Sequence, residues 1–402
     1  MTGLLEGLRV IEVATFVFAP AAGTVLSDFG AEVIHVEPPG IGDPYRMLTR
    51  MRPLPECEEN YCWLLDSRNK KSVVLDLKRE EGHAVLLDLI RGADIFITNY
   101  HPSVLEELKL SYATLSAENE RLIYAHGTGY GEVGSEVEKP GYDATAWWAR
   151  SGLMDAVRPG GGELALATAG MGDHPSSISI VAGISLALYA RERTGRGTKV
   201  SSSLTANGAW ANSILIQAAL CGGKSYVPPT QAGTSNALLN HYRAADGRSF
   251  YLVIIKEADE FEQFCIAIER PELVQDSRFE KLEDRRANAS ELVQILSDWF
   301  AARPLAQWQR IFEEHAITFG SIATCDEAAA DRQMECNSVF VAMEGRPGTR
   351  VIDSPIALSD FPKCAPRPPP ELGEHGTAVL RTLGYDDSRI AALLESGVVG
   401  GS

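Results

Sequence analysis

Short unbroken apolar runs alternate with stretches in which apolar residues return every three or four positions. Leu8-Arg9-Val10-Ile11-Glu12-Val13 reads as a buried strand, Ala14 to Phe18 as a turn, and Pro20, Ala21, Val25 and Leu26 as a helix ended by Gly30. Ala31 to Glu37 reads as a second strand, which makes a βαβ unit, right-handed and parallel. The alternation continues with a strand at Val73–Leu77, a helix at Glu80–Arg91, a strand at Asp94–Thr98, a short helix at Val104–Leu108 and a strand at Leu122–His126. This pattern predicts an open α/β sheet, and such sheets bind ligands at the carboxyl ends of their strands. One stretch breaks it. Glu37 to Asp66 carries Pro38, Pro39, Gly40, Gly42, Pro44, Pro53 and Pro55, and reads as an irregular segment that serves binding or an interface.

Apolar spacing at Ile180, Val181, Ile184 and Leu188 predicts a further helix. The turn Thr194-Gly195-Arg196-Gly197 then leads to a strand at Thr198–Ser203 and a long helix from Thr205 to Cys221. Composition shifts at Gly222, where prolines and glycines suggest a linker over 222–240. A hairpin around Asp246-Gly247 and a helical pattern from Glu257 to His315 predict a smaller α+β domain over 241–326. The first domain covers 1–221, and the segment 327–402 is weakly periodic, with an extended proline stretch at 366–370 and a helical tail.

The length of 402 residues suits two or more domains. A net charge of −17 argues against nucleic acid or an anionic membrane as partner. A phosphate-bearing ligand therefore needs a local basic patch, and the densest one is Arg68, Lys70, Lys71, Lys78 and Arg79. The turn after the first strand, Phe16-Val17-Phe18-Ala19-Pro20, lacks G-x-G-x-x-G, which excludes the dinucleotide fingerprint. The seven cysteines are scattered without C-x-x-C, so no metal is expected, and reduced thiols point to the cytoplasm. Neither a signal-peptide core at the N-terminus nor an apolar run long enough to span a bilayer is expected.

The candidate chemistry centres on Gly170-Met171-Gly172-Asp173-His174-Pro175. Pro175 suits the first helical position, which puts Asp173 at or just before a helix N-terminus. Two roles are open to it: a helix cap, or an ionised carboxylate in a cleft that attacks an acyl group. In the second role the helix N-terminus would lower its pKa, and the backbone N–H near Gly172 would stabilise an oxyanion. His174 reads as structural. Trp147 and Trp148 are adjacent on one helix and so cannot face the same way; one reads as core, the other as pocket or interface.

Several motifs in order resemble class III CoA-transferases: Gly7 to Glu12, Gly30 to Glu37, Asn69-Lys70-Lys71-Ser72 with Leu75-Asp76-Leu77-Lys78, Asn99-Tyr100-His101-Pro102, Gly172-Asp173, Thr194 to Gly197, Asp246-Gly247 and Leu372 to Thr377. The resemblance covers nearly the whole chain. It implies a Rossmann-like large domain built from both chain ends, a small inserted domain and an interlocked homodimer. It also implies Asp173 as the nucleophile, passing through an aspartyl anhydride and an aspartyl-CoA thioester. Coenzyme A enters as the acyl-CoA substrate, and a carboxylic acid is the other small-molecule partner. Thr15, Phe16, Val17, Phe18, Leu75, Lys78, Asn99 and Tyr100 match CoA-contact positions, with Lys70, Lys71 or Arg68 as further phosphate ligands. Pro38 and Glu107 stand where the family has arginines, and Gln231-Ala232-Gly233-Thr234 replaces a glycine-rich lid, which argues against oxalate and formyl groups. Tyr142, Asp143, Trp147 and Trp148 would line the substrate pocket, and the aromatic block resembles the branch acting on bulky or aromatic acids. The alternatives are an acyl-CoA racemase, which Tyr142 in place of histidine disfavours, and a CoA-binding protein without turnover.

Overall fold

The computed structural model describes residues 3–50 and 54–400; Met1 and Thr2 of the N-terminal segment, and Pro53 of the irregular one, lie outside the described residues. The chain forms two compact units.

The larger unit comprises Met1–Met154, Leu166–Gly223 and Gln333–Ser402. Its sheet contains β1 (Arg9–Val13), β2 (Glu32–Glu37), β3 (Lys71–Leu75), β4 (Ile95–Thr98), β5 (Ile123–Thr128) and β6 (Lys199–Ser203). These six strands are parallel and lie in the order β3-β2-β1-β4-β5-β6. A seventh strand, Val399–Gly400, pairs antiparallel with β3 through Val399 and Leu75, so the C-terminal segment completes the sheet. The central strands are apolar on both faces, as burial between two helical layers requires. One face packs Ile11, Val73, Leu86, Leu89, Leu380 and Ile390, and the other packs Val10, Phe18, Ile97, Trp147, Ile180 and Ile184.

Up to residue 223 the helices are α1 (Phe18–Asp28), α2 (Tyr61–Asp66), α3 (Glu80–Arg91), α4 (Pro102–Glu107), α5 (Tyr112–Glu118), α6 (Leu153–Ala156), α7 (Asp173–Thr194), α8 (Leu204–Ala211) and α9 (Ser213–Leu220), and the C-terminal segment adds helices at Gly376–Thr382 and Asp387–Glu395. The proline-rich stretch is more ordered than its composition predicts. It contains a 3-10 helix at Pro44–Arg50 and α2, which Asn60 caps by accepting a hydrogen bond from the Trp63 N–H at 3.2 Å. The long helix expected from Thr205 to Cys221 is two helices broken at Asn212, whose side chain donates to the Ser151 carbonyl at 2.9 Å. Gly195, left-handed at φ 74°, ends α7.

The smaller unit comprises Asp155–Ala165 and Lys224–Arg332. Strands β7 (Leu239–Arg243), β8 (Ser249–Val253) and β9 (Phe319–Ser321) form an antiparallel sheet. Helices at Glu257–Ala267, Ala289–Phe300 and Leu305–Glu314 cover a core of Tyr242, Phe250, Phe300, Trp308 and Phe312, and the Trp308 indole donates to the Phe300 carbonyl at 2.9 Å. Ala237 and Leu238, within the expected linker, belong to this core.

Candidate active site

In the larger unit the strand order reverses between β1 and β4, and crevices at such points hold ligands. A cleft of about 380 Å³ opens there. Thr15, Phe16, Val17 and Phe18 line it from the end of β1, Asn99 and Tyr100 from the end of β4, and Gly127 to Gly129 from β5. Tyr142, Leu204 and Asp173, the first residue of α7, complete it. A reciprocal clasp ties the two central loops. The Thr15 N–H donates to Asn99 Oδ1 at 3.0 Å, and Asn99 Nδ2 donates to the Thr15 carbonyl at 2.7 Å. Phe16 is left-handed at φ 62°, a costly conformation for an aromatic residue. Its N–H donates to Asp43 Oδ1 at 3.1 Å, and its ring meets Tyr142 edge-on at 6.0 Å.

A buried charged network supports this loop. His35 sits between Glu12 at 2.8 Å and Asp43 at 3.4 Å. Burial opposes its charge, but the bonds to Asp43 and Glu12 outweigh burial and raise its pKa to about 9. Lys70 donates to both Glu12 oxygens, at 2.8 and 3.1 Å, and to the Pro20 carbonyl at 2.7 Å.

Asp173 is held by what surrounds its glycines. The Gly172 N–H donates to Asp143 Oδ2 at 3.2 Å, and a Cβ on Gly172 would lie 2.7 Å from the Trp147 ring. The His174 ring bonds the Gly170 carbonyl through Nδ1 at 3.1 Å and Asp66 Oδ1 through Nε2 at 3.0 Å. Asp66 in turn accepts from the Tyr45 hydroxyl. Burial and the charges of Asp143 and Asp66 push the Asp173 carboxyl up to about 7, against the pull of His174. Burial works against the His174 charge, yet Asp66 raises it to about 9.

The expected site residues thus divide. Thr15, Phe16, Val17, Phe18, Asn99, Tyr100, Tyr142 and Asp173 share the cleft, and buried Asp143 stands behind it. Others do not face it. Lys70 is sealed against Glu12, and Arg68 is buried with its guanidinium on Asp28 at 2.7 and 2.9 Å, so neither is free to hold phosphate. Lys71 pairs with Glu32 at 2.5 Å and Leu75 is a core side chain, whereas Lys78 is exposed. Trp147 and Trp148, neighbours in the π-helix Asp143–Ala149, are both buried, with ring centroids 6.0 Å apart and 9° between planes. Trp147 packs under Gly172, and neither ring is among the residues that line the cleft. Three further expectations are corrected. Asp173 is raised, not lowered, since burial beside two carboxylates outweighs the helix dipole. The Gly172 N–H is already given to Asp143 and is not open to an oxyanion. Pro175 is the third helical residue rather than the first, while Asp173 itself opens the helix, as expected. Sequence reasoning missed Asp43, Asp66 and His35 because isolated polar residues in irregular or strand segments carry no spacing signal.

Among the described residues no cluster of three or more His, Cys, Asp or Glu could hold a metal ion, and all seven cysteines are free.

Comparison with known proteins places this geometry in context. Residues 5–376 match the profile of CoA-transferase family III. The chain is 31% identical to (R)-2-hydroxy-4-methylpentanoate CoA-transferase of Clostridioides difficile, over 98% of this chain and 99% of that one. It is 33% identical to cinnamoyl-CoA:phenyllactate CoA-transferase of Clostridium sporogenes, over 98% and 96%. A crystal structure of a CAIB/BAIF family protein from Brucella suis superimposes with a TM-score of 0.84 at 27% identity, covering 95% of this chain and all of that one.

Proposed function

The chain belongs to CoA-transferase family III, and we propose that it moves coenzyme A from an acyl-CoA donor to a bulky, apolar or aromatic carboxylic acid through Asp173. An oxygen of the Asp173 carboxylate adds to the donor thioester carbonyl. The C–S bond breaks, CoA leaves as a thiolate, and an acyl-aspartyl anhydride remains. The thiolate adds to the aspartyl carbonyl, the donor acid departs as its carboxylate, and an aspartyl-CoA thioester is left. The acceptor carboxylate runs the same two steps in reverse, and no net proton is exchanged.

The observation that carries this reading is Asp173 opening into the cleft beside Thr15–Phe18 and Asn99–Tyr100. A partly desolvated carboxylate is a stronger nucleophile than a hydrated one. Phe16, Val17, Phe18, Val104, Tyr142 and Leu204 give the cleft apolar walls, which favours a bulky acid. The relatives that act on 4-methylpentanoate and phenyllactate derivatives agree with that preference. With Lys70 and Arg68 engaged elsewhere, Lys78 and the part-exposed Lys71, which pairs with Glu32, are the remaining candidates for a CoA phosphate. We also propose a homodimer, supported by the exposed apolar face of α7–α9. The five exposed free thiols support a cytoplasmic setting.

The test is to incubate the enzyme with cinnamoyl-CoA and phenyllactate, and with other acyl-CoA and acid pairs, then map adducts by mass spectrometry. A mass increment on the peptide holding Asp173 is expected. Asp173→Asn lowers kcat by about a thousandfold or more, since the amide is no nucleophile. In the native enzyme kcat/KM rises with pH and levels off above about 7, where the carboxyl has ionised. An adduct on another residue, or full turnover by the amide variant, overturns the assignment.

A further inference from the structure

His174 carries more than a structural load. Its Nδ1 lies 3.1 Å from the Gly170 carbonyl, which can only accept, and its Nε2 lies 3.0 and 3.3 Å from the two oxygens of Asp66. Both ring nitrogens therefore face acceptors, and the ring satisfies both only with two protons. Asp66 is held as an acceptor, because the Tyr45 hydroxyl donates to its Oδ2. The backbone is shaped around the ring: Gly170 is left-handed at φ 76°, and a Cβ there would meet Nδ1 at 2.7 Å.

We propose that His174 is a positioning residue: an imidazolium fixed by Asp66 and Gly170 that keeps the neighbouring Asp173 carboxylate charged and available. The proposal rests on Asp173 being the nucleophile. The charges acting on Asp173 are Asp143 from the π-helix, Asp66 from α2 and His174 from its own helix; among these His174 is the cation. The cations around the adjoining cavity are occupied. His174 shares an adjoining cavity of about 480 Å³ with Arg68 and Asp353, but Arg68 is bound to Asp28 and Asp353 to Lys363, each at 2.7 Å. In the last step the CoA thiolate adds to the acceptor acyl carbonyl, the C–O bond of the acyl-aspartyl anhydride breaks, and the same imidazolium stabilises the Asp173 carboxylate that leaves.

The test uses the full-length protein labelled at the aspartate carboxyl carbons, with the Asp173 resonance identified by its loss in Asp173→Asn. Its titration midpoint is read in the native protein and in His174→Gln. The midpoint should move up by about one pH unit in the glutamine variant, a tenfold change in the ionised fraction below it. The acid limb of kcat/KM should move with it, so that activities converge above pH 9. His174→Lys, which has room in the adjoining cavity to reach Asp66, should bring both back. A midpoint and limb unmoved in His174→Gln, or a loss of rate equal at every pH, overturns the proposal. Should the variants not fold, ring-nitrogen spectra of the native protein decide: two protonated nitrogens on His174 at pH 7.5 support it, and a neutral ring refutes it. Full turnover by Asp173→Asn would instead sink the nucleophile assignment, whereas an inactive Asp173→Asn with an unmoved limb removes only the role of His174.

Discussion

At Lys70 a single side chain separates two readings of the same motif. In the linear chain it stands in a basic run suited to phosphate. In the fold it is 4% exposed, and its ammonium lies between the Glu12 carboxylate and the Pro20 carbonyl. Gly23 makes room for that pair, because a Cβ there would fall 1.9 Å from Glu12 Oε2. Removing the cation leaves Glu12 charged and buried, next to His35 and below the loop that lines the cleft. Lys70→Met should therefore lower stability by about 3–5 kcal/mol in chemical denaturation, while KM for the CoA ester stays near its native value. A selective rise in KM with native stability would restore the phosphate role.

The first turn of α7 shows how elements cooperate to aim one carboxyl group. Gly172 packs on Trp147, its N–H is given to Asp143, and Ser176 donates back to the Gly172 carbonyl at 2.6 Å. Gly172→Ala forces a methyl group into the indole, so a loss of about 1–3 kcal/mol is expected, with kcat falling more than KM rises as Asp173 shifts. Unchanged kcat in a folded variant would show that the turn tolerates displacement. The strands around this turn were readable from apolar runs, since a parallel sheet buried on both faces needs little else. The stacked tryptophans were not, because a π-helix leaves no mark on the period of so short a segment. The 3-10 helix and α2 were hidden by prolines at or before their starts, Pro44 opening the first and Pro55 preceding the second.

For the whole molecule, the outer face of α7–α9 is the feature a single chain leaves unexplained. Leu186, Trp210, Ile214 and Leu220 are 71–82% exposed, and they come from three successive helices of one unit. An apolar surface on this scale marks an association site. Ile214→Glu should convert the proposed homodimer to a monomer in sedimentation, because a charge at that face has to be desolvated to associate. A native protein that sediments as a monomer would remove the dimer from the account.

The order of strands and helices, the lack of a dinucleotide fingerprint and the place of Asp173 at a helix start were all determined by local pattern. They depend on residue spacing and backbone preference, which neighbours in the chain decide between them. Only the tertiary structure decided which cations are free, which N–H groups are taken and how strongly Asp173 holds its proton. Those properties arise from groups far apart in sequence, such as Glu12 with Lys70 and Asp66 with His174, brought together where water is excluded.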